Sequence, residues 1–280
     1  MVRVVTDTGT AISPAEGKAL GIEVIPAVLI LDGKEYADLA DITPAEFLSI
    51  LQSGKLATSS QPSPALILEI FEQASAENPV LYVAIGEGLS GAYTTACGIR
   101  ESLPNKEHIT VYDTATIVGT QRVMALKAKR LAAQGKSMAE ITRALDASRD
   151  NNKSYLIPKD LFHLQRGGRL TPTAAKVVNL LGLLPVITQS KDRKKLDKAS
   201  LCRGYPKAVE KAIDSFRRIG VGKGWNITIS QGDNMRDAIL AKVMLEKHFP
   251  DCTYEIRELA CALLNQGGCG CIVIQATLDE

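Results

Sequence analysis

Four short segments bring together residue types that could bind or act on a small ligand. In Thr58-Ser59-Ser60-Gln61-Pro62-Ser63, three consecutive hydroxyls precede a proline-started helix. Hydroxyl donors and free helix amides converging there would hold an anion without any formal positive charge. An over-provided helix cap accounts for the same residues, since Ser63 alone would serve the helix. Gly86-Glu87-Gly88-Leu89-Ser90-Gly91-Ala92 follows directly on the apolar run 80–85. Ligands of open α/β sheets bind beyond the carboxyl ends of strands, where glycines permit close approach. Ser90 would stand there at the mouth of a helix, as a ligand donor or as a plain capping serine. In Leu161-Phe162-His163-Leu164-Gln165-Arg166-Gly167-Gly168-Arg169, two arginines flank a glycine pair. That pattern can present a guanidinium to a carboxylate or phosphate, and it also fits a solvated surface turn. Asn265-Gln266-Gly267-Gly268-Cys269-Gly270 is a glycine-rich turn, or a hairpin, before the last strand.

Two catalytic readings can be weighed on the same residues. Gly88-Leu89-Ser90-Gly91-Ala92 approximates the G-x-S-x-G elbow of an α/β-hydrolase, with alanine in the last place. An esterase using Ser90 also needs an acid and then a histidine after the serine. His163 and His248 do follow, but His163 lies in the arginine-glycine segment and His248 ends an amphipathic helix. No His-Gly-Gly-Gly oxyanion segment accompanies them. The second reading is a metal site at Cys269 and Cys271, a C-x-C pair among glycines. Zinc sites usually need two such pairs or added histidines, and His108, His163 and His248 are scattered. No G-x-x-x-x-G-K-[ST] loop is present to bind a nucleotide.

The elements that must carry these segments are legible from periodicity and caps. Strand-like runs rich in valine and isoleucine fall at 2–6, 23–31, 80–85, 109–112, 155–157, 184–188, 226–229, 254–259 and 271–276. Most are apolar throughout, as strands covered on both faces should be. Ser13-Pro14-Ala15-Glu16 and Thr43-Pro44-Ala45-Glu46 each offer a capping hydroxyl, a proline at the first helical position and a glutamate. Ser137-Met138-Ala139-Glu140 repeats the box without proline, with Met138, Ile141 and Leu145 as its buried stripe. Ser63-Pro64 and Thr171-Pro172 are further starts, and Gly54 and Gly182 suit helix ends. Repeated alternation of strand and helix predicts an α/β fold with a mainly parallel sheet and flanking helices. The polar stretch Ser148-Arg149-Asp150-Asn151-Asn152-Lys153-Ser154 predicts a boundary between domains at 1–153 and 154–280.

Composition narrows the partners. Among 280 residues, 33 basic and 31 acidic side chains leave a net charge of +2, without a basic stripe, which argues against nucleic acid. Arg193-Lys194-Lys195 sits beside acidic residues and reads as a solvated turn. Aromatic residues are too few for stacked bases. The N-terminal run carries Arg3 inside it, unlike a signal-peptide core, and no apolar stretch reaches eighteen residues. The expected setting is the cytoplasm, with the six cysteines reduced.

Taken in order, Thr6-Asp7-Thr8, Ser59-Ser60-Gln61-Pro62-Ser63, Leu89-Ser90-Gly91-Ala92-Tyr93, Tyr112-Asp113-Thr114, Arg166-Gly167-Gly168-Arg169 and Cys202-Arg203-Gly204 resemble the signature segments of the bacterial DegV family. The resemblance spans essentially the whole chain and includes Pro26, Tyr36 and Asp41. It implies two α/β domains enclosing one long-chain fatty acid, of palmitate or oleate type, with no cofactor. The N-terminal domain would carry the carboxylate-binding loops and the C-terminal domain would close over the acyl chain. The family's Thr-Ser-Gln-Pro threonine corresponds to Ser59, which keeps the hydroxyl and loses a methyl, with Thr58 before it and Ser60 after. The serine of the family's Leu-Ser-Gly turn corresponds to Ser90, next to Gly91, and its Gly-Gly-Arg arginine to Arg169. A family histidine in a late His-x-Gly-Pro-Gly turn corresponds to Asn265, which offers an amide in place of a titratable ring. The resemblance further implies a binding subunit, non-catalytic alone, that presents its ligand to a separate ATP-dependent fatty acid kinase for acyl phosphate formation. Transient contact with a membrane surface would accompany such a role.

Overall fold

In the computed structural model, which describes residues 1–159, 161–176 and 183–280, the chain forms two units. One comprises Met1–Thr43, Ala57–Asp150 and Ala260–Ala262; the other comprises Pro44–Leu56, Asn151–Leu259 and Leu263–Glu280. The principal passage between them, at Asp150 and Asn151, falls inside the polar stretch 148–154. Gly182, read as a helix end, lies outside the described residues.

The first unit opens with β1 (Arg3–Asp7), α1 (Pro14–Leu20), β2 (Glu23–Ile25), β3 (Val28–Leu31) and β4 (Lys34–Ala37). After α2 (Pro44–Gln52), which belongs to the second unit, come β5 (Thr58–Ser60), α3 (Pro64–Glu72), β6 (Val80–Ala84) and α4 (Ala92–Ser102). Then follow β7 (Ile109–Asp113), α5 (Gly119–Ala133) and α6 (Met138–Asp150). The order β2-β1-β6-β7 makes a wholly parallel sheet, with Thr6 beside Val83 and Val83 beside Tyr112. Successive strand residues point to opposite faces, so an apolar run feeds two cores. Val4, Leu81 and Val83 pack with Met124, Ala128, Ile141 and Leu145. Val5, Tyr82 and Ala84 pack with Ile67, Phe71 and Ala96 on the other side.

The run expected as one strand over 23–31 is two strands. Pro26 cannot donate to a ladder, so the chain leaves β1 there and β3 pairs with β4 and β5 in a separate sheet. Asp32 and Gly33 both adopt positive φ, of 49° and 80°, and close the β3–β4 hairpin in two residues.

Most capping signals work as read. Ser13 Oγ accepts the Glu16 N–H at 3.1 Å, and Thr171 Oγ1 accepts the Ala174 N–H at 3.2 Å. Ser137 and Glu140 form the reciprocal box, at 3.3 and 2.9 Å. Each such cap contributes on the order of 1 kcal/mol. Gly54 ends α2 with φ +83°.

The second unit contains β8 (Asn152–Ile157), α7 (Phe162–Gly167), α8 (Pro172–Ala175), β9 (Leu184–Gln189), β10 (Leu196–Cys202) and α9 (Tyr205–Arg218). It continues through β11 (Trp225–Gln231), α10 (Met235–Glu246), β12 (Thr253–Glu258), α11 (Cys261–Gly267) and β13 (Ile272–Leu278). Its sheet runs β10-β9-β8-β13-β11-β12. Here the mainly parallel pairing of the first unit gives way to a mixed sheet. Among the described strands only β11 and β12 run parallel, while β9 and β10 form a hairpin and β13 is antiparallel to β8 and β11. Apolarity reports what covers a strand and carries no information on its direction. Helix α9 buries Ala208, Val209, Ala212, Ile213 and Phe216, at helical spacing, against Tyr155, Ile227 and Ile274.

All six cysteines are unbridged. Among the described residues no cluster of three or more His, Cys, Asp or Glu could hold a metal ion, and no helix is long and apolar enough to cross a membrane.

Candidate functional site

The Ser90 turn lies beyond the carboxyl end of β6 and is fastened from both neighbouring strands. Asp7, at the end of β1, is buried and accepts four hydrogen bonds. Its Oδ2 takes the Ile85 N–H and the Tyr82 hydroxyl, each at 3.0 Å. Its Oδ1 takes the Gly9 N–H at 2.9 Å and Gln121 Nε2 at 3.1 Å. Burial raises the Asp7 pKa, and the four donors oppose that shift. From β7, Asp113 Oδ1 accepts the Glu87 and Ala115 amides at 3.1 and 2.8 Å. The Gly86 N–H donates to Thr116 O at 2.7 Å. These bonds hold Ile85, Gly86 and Glu87, the residues that lead into Ser90.

Ser90 Oγ accepts the N–H of Ala92, the first residue of α4, at 3.3 Å, while Gly91 occupies the N-cap position. Its hydroxyl hydrogen finds no acceptor among the described residues, and it remains a donor for a ligand oxygen.

The hydroxyl run at 58–60 is not a loop. It is the short edge strand β5, paired with β3 so that Ser59 lies opposite Leu29. Strand geometry therefore sends Ser59 to one face, with buried Leu29, and Thr58 and Ser60 to the other. Three converging hydroxyls do not occur. Ser63 precedes α3 without a side-chain capping bond, so the simple reading of it as the helix cap also fails.

The two hydroxyl segments meet through Gln61. Its Nε2 donates to Thr95 Oγ1 at 2.9 Å, and the Thr95 hydroxyl donates back to Gln61 Oε1 at 3.1 Å. Gln61 Oε1 also presses on Gly91, where a Cβ would lie only 2.4 Å away. The amide thus touches the residue immediately after Ser90 while following directly on β5.

Arg169 and Asn265 lie in the second unit. Arg169 Nη1 donates to Gly167 O at 2.5 Å, folding the guanidinium back over its own turn. Asn265, on α11, is 6% exposed, and its Oδ1 is buried without a partner. The Nδ1 of His163 is also buried and unpartnered. Its ring packs on Gly268, where a Cβ would approach Cδ2 to 2.7 Å.

No imidazole serves Ser90 within its own unit. His108 precedes β7, and in a parallel sheet that is the end opposite the Ser90 turn. His248 is engaged with Arg217, 2.6 Å away. A nucleophile elbow also requires a strained strand-to-helix residue. Ser90 has no positive φ; that conformation belongs to Val118 before α5, at φ 64° and ψ −131°, which carries no nucleophile. Ser90 is placed to donate a hydrogen bond, with no imidazole beside it in its own unit.

A parallel α/β unit with the Ser90 turn beyond a strand end, followed by a mixed-sheet unit, defines a two-unit α/β protein. A family model described as "Uncharacterised protein, DegV family COG1307" matches residues 1–277, and the chain belongs to the DegV family. It is 31% identical to the DegV domain-containing protein TTE1491 of Caldanaerobacter subterraneus subsp. tengcongensis, over 79% of this chain and 78% of that protein. It is 26% identical to the DegV domain-containing protein lmo2514 of Listeria monocytogenes, covering 91% and 90%. Among solved structures, a DegV family protein from Thermus thermophilus, described by its fatty acid binding, superposes with TM-score 0.88 at 26% identity, covering 99% of each chain. DegV from Bacillus subtilis, described as a fatty acid binding protein, gives 0.83 at 23% identity and 99% coverage of each, a likeness of fold.

Sequence reading named Ser59, Ser90, Arg169 and Asn265 and missed what holds the first two. Gln61, Thr95, Asp7 and Asp113 do that. The signal was an Asp-Thr pair at the end of both β1 and β7, where a carboxylate can gather loop amides.

Proposed function

We propose that this chain binds one long-chain fatty acid, its carboxylate taken by Ser59 and Ser90 and its acyl chain buried. The observation that carries the reading is the Gln61 bridge, which joins the segment after β5 to the start of α4 beside Ser90. The fatty acid binding described for the Thermus thermophilus relative supports it. The energetics are adequate with a neutral head site. Burial of an acyl chain gives about 0.8 kcal/mol per methylene before association costs.

On this reading the protein is a cytoplasmic, non-catalytic carrier that presents fatty acid to an ATP-dependent kinase, touching membrane surfaces in passing. Arg169, in the second unit, serves the kinase-dependent step, and Asn265, whose Oδ1 is buried without a partner, is a further polar contributor. Thr58 and Ser60, on the opposite face of β5 from Ser59, shape the strand and do not hold the carboxylate. The esterase reading is not favoured, since no imidazole serves Ser90 within its own unit.

Solvent extraction of purified protein, followed by mass spectrometry, tests the proposal. A palmitate- or oleate-type acid near one per chain is expected. Lipid-free protein that also fails to take up either acid would sink it.

A further inference from the structure

We propose that Gln61, locked by Thr95, is a positioning residue that fixes the separation of the Ser59 and Ser90 hydroxyls and so makes the site select a carboxylate over an alcohol. This rests on the head-group reading given above and deepens it.

The first ground is the behaviour of Thr95. A threonine inside a helix ordinarily returns its hydroxyl to a carbonyl one turn earlier. Thr95 instead spends both its donor and its acceptor on the Gln61 amide, at 3.1 and 2.9 Å, 34 residues away in sequence. The second is the backbone on either side of that amide. Pro62 is buried, and a residue before proline is disfavoured in the α region, which narrows the backbone freedom of Gln61. Gly91 accepts Gln61 Oε1 in the space a Cβ would fill. The third is adjacency, since Gln61 lies two residues from Ser59 and touches the residue after Ser90.

A carboxylate offers two oxygens and can take one hydrogen bond from each serine at once. An alcohol of equal chain length offers one neutral oxygen, a weaker acceptor that loses less when their separation changes. Loosening the bridge should therefore weaken the acid and spare the alcohol. A general loss of folding would weaken both.

The test is displacement of a fluorescent probe by palmitic acid and by hexadecanol, on wild type, Thr95→Val, Thr95→Ser and Gln61→Met, with Ser59→Ala and Ser90→Ala beside them. Thr95→Val keeps the shape and removes the hydroxyl; Gln61→Met keeps the length and removes the amide. Each should weaken palmitic acid by about tenfold, the scale of one lost hydrogen bond to a charged group, and shift hexadecanol by less than about twofold. Thr95→Ser should retain the preference for acid. If the serine variants lose acid binding while Thr95→Val and Gln61→Met leave the ratio of acid to alcohol unchanged, the positioning role is wrong and the head site stands. If the serine variants bind normally, the head-group reading falls and the bridge falls with it.

Discussion

The buried carboxylate of Asp38 accepts the backbone N–H of Cys261 at 3.0 Å, joining two points of the first unit that lie 223 residues apart in the chain. Its other oxygen accepts the Thr8 hydroxyl at 2.9 Å, and Thr8 in turn accepts the Ala27 N–H at 3.0 Å. The Cys261 thiol points to Ile42 O. One carboxylate therefore gathers the turn after β1, the start of β3 and a segment from near the C-terminus.

That arrangement gives a dependence of stability on pH. Burial raises the Asp38 pKa from 3.8 to about 6, so between those values the folded chain holds more protons there than the unfolded chain. Stability at this site is greatest below the unfolded value and falls as pH rises through the folded one. The full loss is at most about 3 kcal/mol. Asp38→Asn should remove that slope, gaining stability relative to wild type from about pH 4 to about pH 6 in urea denaturation. Parallel curves for the two proteins across that window would show that Asp38 does not titrate there.

Ser59→Ala and Ser90→Ala should each weaken fatty acid binding by about 1–3 kcal/mol, the cost of removing one donor from a charged acceptor. Much of the affinity should survive, because the acyl chain supplies most of it. Fluorescence displacement measures both. Complete loss in either variant, with folding intact, would mean that the head group dominates.

Ser90 should stay unlabelled by a fluorophosphonate probe, since a serine hydroxyl without a base is a poor nucleophile. Stoichiometric labelling, with ester turnover lost in Ser90→Ala, would restore the esterase reading.

Arg169→Ala should reduce acyl phosphate formation by a supplied kinase more than it weakens fatty acid binding. One of its five guanidinium donors is engaged by Gly167 O, which folds the side chain over its own turn. Abolished binding in this variant, beside normal binding in both serine variants, would reverse the assignment of the head site.

Much of the first unit could be read from the chain because its signals are local. The apolar runs of β1 and β6, the Ser13 and Ser137 caps and the Ser90 turn each declare themselves within a few residues. β5 was hidden because Thr58, Ser59 and Ser60 offer no apolar alternation, and it exists only by pairing with β3. The same holds for function. Ser90 is visible as a serine among glycines, whereas the bridge from Gln61 to Thr95 links residues whose partnership no local spacing encodes. Strand direction in the second unit was invisible for a related reason, since it is decided by which distant strands become neighbours.

The exchange of Pro44–Leu56 and Ala260–Ala262 between the units bears on how such a protein could arise or be dissected. A gene cut between Asp150 and Asn151 would yield two fragments, each lacking a piece that its own unit contains and each carrying a piece of the other. Grafting either unit intact therefore requires sequence from both sides of that cut.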